Sequence, residues 1–464
     1  FKTDKTFRQN YNKMASQEIM ISGARACSGS IQISGAKNAS LPLMAACLLT
    51  NQSVVLDNVP KISDIDVMKK QLGSYGVQIN EQGSRRVLQV SQERFSPANS
   101  DGSRTRGSFL VLGPLLARHK AAKVYYPGGC QIGQNGRPVD YHIEALKQMG
   151  ATLQSSGNFI QLNAVRGLHG AQIQFPQISV GATENVIMAA CLADGQTVIR
   201  NAAVEPEVID LIEMLKKMGM NGNISVDKDN NVIVINGRSG ILLNGCTHTV
   251  IPDRIEAGTW AIAAAMTGGS LLLKMKREIG EEIMKPVFEK LEQAGVTLRW
   301  RRDGLEVQRY GNIRPVDVTT GPFPQFPTDL LPLWVTFMTL ANGPSILEDT
   351  IYDNRFKLVQ YLEKMGAQFT RYSDGKYKVH GNQNARLQGT RVVATDLRAG
   401  AALILAALVA DGTTVVREFQ HVLRGYENIR EKLGCWSVQF GNLPQARPGF
   451  HGGNYQVRPG GQRR

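Results

Sequence analysis

Six times along this chain an amphipathic run stops on a glycine that is followed at once by a short β-prone stretch. The words are Leu72-Gly73-Ser74-Tyr75-Gly76-Val77, Gln148-Met149-Gly150-Ala151, Lys217-Met218-Gly219-Met220, Gln293-Ala294-Gly295-Val296, Lys364-Met365-Gly366-Ala367 and Lys432-Leu433-Gly434-Cys435. The marker glycines Gly76, Gly150, Gly219, Gly295, Gly366 and Gly434 are separated by 74, 69, 76, 71 and 68 residues. The runs before them, such as residues 208–215, carry apolar side chains at helical spacing. Glycine supplies the left-handed residue that closes a helix, and a basic residue in the last turn suits the negative end of the helix dipole. Upstream in most units lies a second run of small apolar residues, at 41–49, 186–193, 259–266, 331–340 and 401–410. Small side chains let helices approach closely, so these runs predict buried inner helices. A turn and a strand follow, as in Asp194-Gly195-Gln196-Thr197-Val198-Ile199. Repetition at this period predicts six α/β units of about 70 residues. A chain of 464 residues exceeds one ordinary core, so the units divide into two domains of three. The stretch Asn236 to Gly245 reads as the linker.

Composition narrows the function classes. No apolar run reaches the roughly 18 residues that span a bilayer; the richest, 401–410, is too short. The six cysteines, Cys27, Cys47, Cys130, Cys191, Cys246 and Cys435, form no C-x-x-C pair, and the seven histidines form no H-x-x-x-H. Neither a zinc site nor a disulfide framework is indicated, which fits a reducing compartment. The net charge is +14. Residues 1–17 contribute +3 and residues 441–464 contribute +4, so half of the excess sits in two polar tails. Basic tails interleaved with Phe1, Phe7, Tyr11, Phe450 and Tyr455 suit either solvated ends or contact with nucleic acid or a protein partner.

The remaining positive charge has a pattern. Lys37, Arg106, Arg254 and Arg398 stand just before the first, second, fourth and sixth inner helices, and Arg137, Arg355 and Arg424 just before amphipathic ones. A helix N-terminus carries partial positive charge and free N–H groups, so a cation there is locally unfavourable. Seven at equivalent corners of a repeat point to an anion held among them.

These cations lie in words that resemble the UDP-N-acetylglucosamine enolpyruvyl transferase (UDP-N-acetylglucosamine 1-carboxyvinyltransferase) family, from about Glu18 to Phe440. The words are Ile33-Ser34-Gly35-Ala36-Lys37-Asn38, Pro127-Gly128-Gly129-Cys130, Arg137-Pro138-Val139-Asp140, Ser179-Val180-Gly181-Ala182-Thr183, Asn201-Ala202-Ala203 with Glu205-Pro206-Glu207, Pro252-Asp253-Arg254-Ile255-Glu256, Phe326-Pro327-Thr328-Asp329, Asn354-Arg355-Phe356, Thr395-Asp396-Leu397-Arg398 and Arg424-Gly425-Tyr426-Glu427. Ten words in one order are specific where one alone is not. The resemblance implies a two-domain inside-out α/β barrel with three repeats per domain. One domain is formed by 18–36 plus 249–440 and the other by 37–248; 1–17 and 441–464 are tails. It implies enolpyruvyl transfer from phosphoenolpyruvate to the 3'-hydroxyl of UDP-N-acetylglucosamine with release of phosphate, the first committed step of peptidoglycan precursor synthesis. It implies no cofactor and no metal. It places the protein in the cytoplasm, or in an organellar matrix or stroma in a eukaryotic host.

The same resemblance assigns residues. Lys37, Arg106, Arg137, Arg398 and Arg424 look like the group that holds phosphoenolpyruvate and the tetrahedral intermediate. That matches the fit of guanidinium forks to carboxylate and phosphate. Asn38 looks like a sugar-binding residue. Arg137, Pro138, Val139, Asp140 and Tyr141, with Ser179, Val180 and Gly181, look like the uridine diphosphate pocket. Asp329 looks like the group beside the attacking hydroxyl, although an acid after Pro-Thr also suits a helix cap. Ile351 looks like the sugar-site wall, and Asp353-Asn354-Arg355 like its support. Cys130 looks like the family's loop cysteine, flanked by Gly128, Gly129 and Gly133; a cation nearby can lower a thiol's pKa. His142 reads as structural rather than as a base.

Three departures stand out. Cys130 and Arg137 are two residues further apart than the family usually has them. Asp329 is followed by Leu330-Leu331-Pro332 instead of a Met-Gln pair. Asp353 replaces a Glu. The rival readings are an enolpyruvyl transferase for shikimate phosphate, against which Cys130 and Arg137-Pro138-Val139-Asp140 count, and one for another nucleoside. A third is a catalytically weakened homologue recruited into a larger, RNA-containing assembly.

Overall fold

In the computed structural model, residues 18–22, 26–91, 106–125, 139–156, 159–352, 354–382 and 386–441 are described. Cys130, Arg137, Pro138, Asp353, residues 1–17 and residues 442–464 lie outside them. Arg106 opens a 3-10 turn, Arg106–Val111, but its side chain is also outside the description.

The repeat unit is most clearly seen in residues 172–236. A strand, Gln172–Gln174, leads into an inner helix, Val180–Ala190, and returns as a parallel strand, Gln196–Arg200. An outer helix, Pro206–Leu215, follows, and a hairpin of Ile224–Asp227 and Val232–Asn236 completes a four-stranded sheet. Pro206 stands in the first turn of the outer helix, where its missing N–H is no loss. The described residues hold six such sheets, five of four strands and one of three. The three-stranded one joins Ala121–Tyr125, Thr152–Ser156 and Phe159–Asn163.

The inner helices are Lys37–Ala45, Leu112–His119, Val180–Ala190, Arg254–Thr267, Leu331–Met338 and Leu397–Val409. They are buried on nearly every side, while strands such as Ile19–Ser22 and Phe159–Asn163 alternate buried with half-buried residues. Helices inside and sheets outside give the inside-out α/β barrel. The repeat glycines do what their position demands. Gly76, Gly150, Gly219, Gly295 and Gly366 have φ between +89° and +107°, backbone that side-chain-bearing residues avoid. The sixth unit departs: its outer helix shrinks to Ile429–Lys432, a 3-10 turn Leu433–Trp436 carries Gly434, and Ser437 takes the left-handed conformation.

Two apolar cores result. One gathers residues from Ala36 to Val250; the other gathers Ile19–Ile33 with residues from Ile255 to Trp436. The start of the chain belongs to the second because Cys27–Gln32 pairs parallel with Gly269–Lys274, and Ile19–Ser22 pairs antiparallel with Thr413–Arg417. The chain passes between cores at 33–36 and 250–254. Those two passages pair with each other: Ala36 N–H donates to Ile251 O at 2.8 Å and Asp253 N–H to Ser34 O at 2.8 Å. The expected linker at Asn236 to Gly245 is therefore corrected. That stretch is pinned to the end of an inner helix by Gly237 N–H to Gly195 O, Arg238 N–H to Cys191 O and Gly240 N–H to Leu192 O. The following strand, Cys246–Thr249, still pairs with Val54–Asp57 of the first core.

Candidate active site

The paired passages place two inner-helix N-termini side by side, and one carboxylate serves both. Asp253 caps Arg254–Thr267: its Oδ1 accepts from Ile255 N at 2.8 Å and Glu256 N at 2.9 Å. Its Oδ2 accepts from Lys37 N at 3.1 Å, the first residue of Lys37–Ala45. An acid at a helix N-terminus satisfies free N–H groups and complements the dipole. Asp396 caps Leu397–Val409 in the same way, accepting from Arg398 N at 2.9 Å and Ala399 N at 3.1 Å. The cations at these corners are thus carried by helices whose ends are capped by neighbouring acids.

Two carboxylates collect the cationic side chains. Asp64, on the outer helix Ser63–Ser74, accepts from Lys37 Nζ at 3.3 Å and from Arg424 Nε at 3.0 Å. Arg424 belongs to the second core's part of the chain and ends the 3-10 turn Phe419–Arg424, ahead of the short helix Ile429–Lys432. Asp329 is the second collector: Arg355 Nη2 donates to its Oδ1, and Arg398 Nη2 to its Oδ2 at 3.1 Å. Asp329 lies in the turn Thr328–Leu330, whose cap position is Pro327, so the capping reading of its carboxylate is not what the structure has. Its side chain is 23% exposed while those of Arg355 and Arg398 are nearly buried.

Lys37 reads the whole cluster. Burial pushes its ammonium below the usual lysine range, Arg398 and Arg424 push the same way, and Asp64 and Asp329 oppose them. For Asp64, burial disfavours the charge, but Lys37 and Arg424 outweigh it and hold the carboxyl below its ordinary range. Arg398 is further fixed by Tyr426. Thr259 Oγ1 donates to Ile255 O at 2.7 Å, so the Tyr426 hydroxyl donates to Thr259 (2.9 Å) and accepts from Arg398 Nη1 at 3.3 Å. Burial raises the Tyr426 phenol above its ordinary range and keeps it a neutral donor.

Arg254 is spoken for. It makes a forked pair with Glu207, Nε to Oε1 at 2.9 Å and Nη2 to Oε2 at 3.2 Å, tying the second core's first helix to the first core. Glu205 makes a parallel tie by accepting from Phe323 N at 3.4 Å. At the other end of the passage, Glu256 accepts from Ser34 N at 2.7 Å and pairs with Lys432.

Lys37, Asp329, Arg398, Arg424 and Arg355 are therefore brought together. Asn38 stands half-buried beside Lys37. Ile351, 36% exposed, follows Asp349, whose Oδ1 accepts from Ile351 N at 2.7 Å. A second group forms elsewhere on the first core. Val139, Asp140 and Tyr141 lead into Asp140–Gln148, and Ser179, Val180 and Gly181 open Val180–Ala190. A Cβ added to Gly181 would meet the His142 ring at 3.2 Å, so these two starts are neighbours. His142 itself is buried, hydrogen-bonded through Nδ1 to Asn185 (2.8 Å) and set edge-on to Phe109, which is a structural placement. Sequence reasoning missed Asp64 and Asp349, and it gave no role to Asp253 and Tyr426, which stand in two of the quoted words. An acid in the first turn of a helix has an ordinary explanation, so Asp64 carried no signal of its own.

Among the described residues no group of three or more His, Cys, Asp or Glu could hold a metal ion, and no helix is long and apolar enough to cross a membrane.

Known proteins share both sequence and fold. A family model described as EPSP synthase (3-phosphoshikimate 1-carboxyvinyltransferase) matches residues 21–433. The UDP-N-acetylglucosamine 1-carboxyvinyltransferase of Afipia carboxidovorans is 44% identical over 430 residues, 90% of this chain and 97% of that protein. That of Wolbachia pipientis is 42% identical over 414 residues, 87% and 94% respectively. The crystal structure of the enolpyruvyl transferase NikO from Streptomyces tendae superposes with a TM-score of 0.83 at 23% identity, covering 92% of this chain and 99% of that one. EPSP synthase from Acinetobacter baumannii superposes at 0.68 with 17% identity, covering 92% and 100%.

Proposed function

The chain belongs to the EPSP synthase family and, within it, to the UDP-N-acetylglucosamine 1-carboxyvinyltransferases, and from that premise we propose how its residues divide the reaction. It is an enzyme that transfers the enolpyruvyl group of phosphoenolpyruvate to UDP-N-acetylglucosamine. The observation that carries the reading is the convergence of Lys37, Arg398 and Arg424 with Asp329 where the two cores meet.

The reaction needs an anion clamp and three proton transfers. The methylene carbon C3 of phosphoenolpyruvate takes a proton, and the acceptor 3'-oxygen bonds to C2 as its own proton leaves. The product of addition is a tetrahedral phosphate ketal. C3 then returns a proton, the C2–O bond to phosphate breaks, and inorganic phosphate leaves as the enol ether forms. Lys37, Arg398 and Arg424 hold the carboxylate and phosphate, and we assign Arg106 and Arg137 to the same task. Oriented cations in a desolvated site stabilise charge as it develops, the part a metal plays elsewhere. Asp329 takes the proton of the attacking hydroxyl; Arg355 and Arg398 each donate to one of its oxygens and fix its plane. Cys130 serves the C3 proton. Asn38 and Ile351 contact the sugar, Arg355 supports Asp329, and Arg137, Pro138, Val139, Asp140, Tyr141, Ser179, Val180 and Gly181 hold the uridine diphosphate.

The site draws on both cores, so we assign 37–248 and 18–36 plus 249–440 to two domains that close on the acceptor. Closure excludes water from the ketal. The product places the enzyme at the start of peptidoglycan precursor synthesis, in the compartment where that synthesis begins. The direct test is mass analysis of the nucleotide sugar after incubation with phosphoenolpyruvate. Gain of one carboxyvinyl group is expected, and an unchanged UDP-N-acetylglucosamine after many enzyme equivalents of time would refute the reading.

A further inference from the structure

We infer that Asp349 is a positioning residue for the transfer, acting on Asp329 through Thr328 and Arg355 and, by a separate set of bonds, on the sugar-site wall. The inference rests on the reading of Asp329 as the group that takes the hydroxyl proton. Asp349 is 7% exposed and lies just after the strand Pro344–Glu348. Its two oxygens have different duties. Oδ1 accepts from Thr320 Oγ1 at 3.0 Å, Ile351 N at 2.7 Å and Tyr352 N at 2.9 Å. Oδ2 accepts from Thr328 Oγ1 at 2.6 Å.

The direction of the chain of bonds follows from proton counting. An ionised carboxylate can only accept, so the single hydroxyl proton of Thr328 goes to Asp349. The Thr328 oxygen then has lone pairs alone to offer, and it accepts from Arg355 Nε at 3.0 Å. With Nε fixed, the guanidinium plane of Arg355 is set, and its Nη2 meets Asp329 Oδ1. Arg355 is 4% exposed and has little room to reorient. Arg398 holds the other oxygen of Asp329, so the plane of the catalytic carboxylate depends on both guanidiniums being aimed. Asp349 aims one of them. Through Ile351 N and Tyr352 N it also sets the backbone that presents the exposed Ile351. Site residues need such support because small misplacements of reacting groups cost rate steeply.

The two duties can be separated by substitution. Thr328→Val keeps the shape of the side chain, removes the relay and leaves the Oδ1 bonds intact. Asp349→Asn with its Oδ1 retained keeps the bonds to Ile351 N and Tyr352 N, but its amide donates toward Thr328 and competes with Arg355. Asp349→Ala removes both. The expected result is a fall in kcat of about 10-fold or more for Thr328→Val and Asp349→Asn, with the KM for UDP-N-acetylglucosamine close to wild type. Asp349→Ala adds a rise in that KM. Thr328→Ser, which restores the hydroxyl, returns kcat toward wild type. Thermal unfolding of each variant is measured alongside, and Asp329→Ala is run as the control. If Asp329→Ala abolishes turnover while folded Thr328→Val and Asp349→Asn keep wild-type kcat, the relay is refuted and the reading of Asp329 stands. If Asp329→Ala itself keeps wild-type kcat, the reading of Asp329 fails, whatever the other variants do. Failure of Thr328→Ser to restore kcat also counts against the relay.

Discussion

Replacing Asp64 with Asn removes the negative charge that Lys37 and Arg424 share. The Asp64 side chain is 4% exposed, that of Lys37 14% and that of Arg424 22%. Breaking a buried pair by removing one partner costs about 3–5 kcal/mol, because the remaining charge stays desolvated. Arg424 is partly hydrated, so the lower end applies, about 3 kcal/mol near neutral pH. The pH dependence is the more telling part. The folded-state carboxyl of Asp64 is held below its unfolded value. Its contribution is therefore present above the unfolded value and lost as pH falls through the folded one. Wild type should show that acid limb, and Asp64→Asn should lack it. Lys37 is lowered in the folded state from 10.5, so between its depressed value and that figure the unfolded chain binds more protons, and stability rises with pH. Without Asp64 the ammonium is depressed further, so this rise begins at lower pH and the penalty of the substitution shrinks in alkali. Urea unfolding followed by tryptophan fluorescence at about pH 3, 7 and 9 measures the acid limb, the neutral penalty and its decrease in alkali. A loss below about 0.5 kcal/mol at every pH, parallel to wild type, would show that Asp64 does not neutralise the cluster.

An epoxide phosphonate that mimics phosphoenolpyruvate should alkylate Cys130 and spare the buried thiols. Burial pushes Cys27 to about 11 and Cys47 and Cys191 to about 12, leaving almost no thiolate at neutral pH; adducts spread over these cysteines by peptide mapping would count against an activated Cys130. UDP-N-acetylglucosamine should reduce the radius of gyration in solution scattering, and an unchanged radius at saturation would contradict domain closure. Gly35→Ala should destabilise the protein by about 1–3 kcal/mol, since the new methyl would lie 1.7 Å from Asn58 O in the passage between the cores; a wild-type unfolding midpoint would show that the passage tolerates displacement.

The repeat was legible because ending a helix in this way demands a residue with positive φ, and glycine meets that demand in five of the six units. It misled in the sixth, where Ser437 takes the left-handed position. Inner helices were recognised by their small apolar residues but begin earlier than those residues do. Lys37–Ala45, Val180–Ala190, Arg254–Thr267 and Leu397–Val409 each open on a turn that carries site residues. Polar and charged groups there hide the helical period at the place where the chemistry sits. Leu112–His119 was obscured by Gly113 and Pro114; Gly113 packs so closely that a Cβ would meet Asn185 O at 2.3 Å. The cations were conspicuous because their positions oppose the helix dipole. Their carboxylate partners were not: Asp64 reads as a favourable first-turn acid and Asp349 as a strand-end turn residue, and only folding brings them to Lys37 and Thr328.

Acceptor-dependent phosphate release tests the transferase most directly. With phosphoenolpyruvate at saturation and excess chelator present, phosphate should appear continuously on adding UDP-N-acetylglucosamine, one per nucleotide sugar converted. It should not appear on adding shikimate 3-phosphate instead. Release with shikimate 3-phosphate alone would move the chain to the other branch of its family, and no release with either acceptor would contradict the assignment of Lys37, Arg398, Arg424 and Asp329 to a working transferase site.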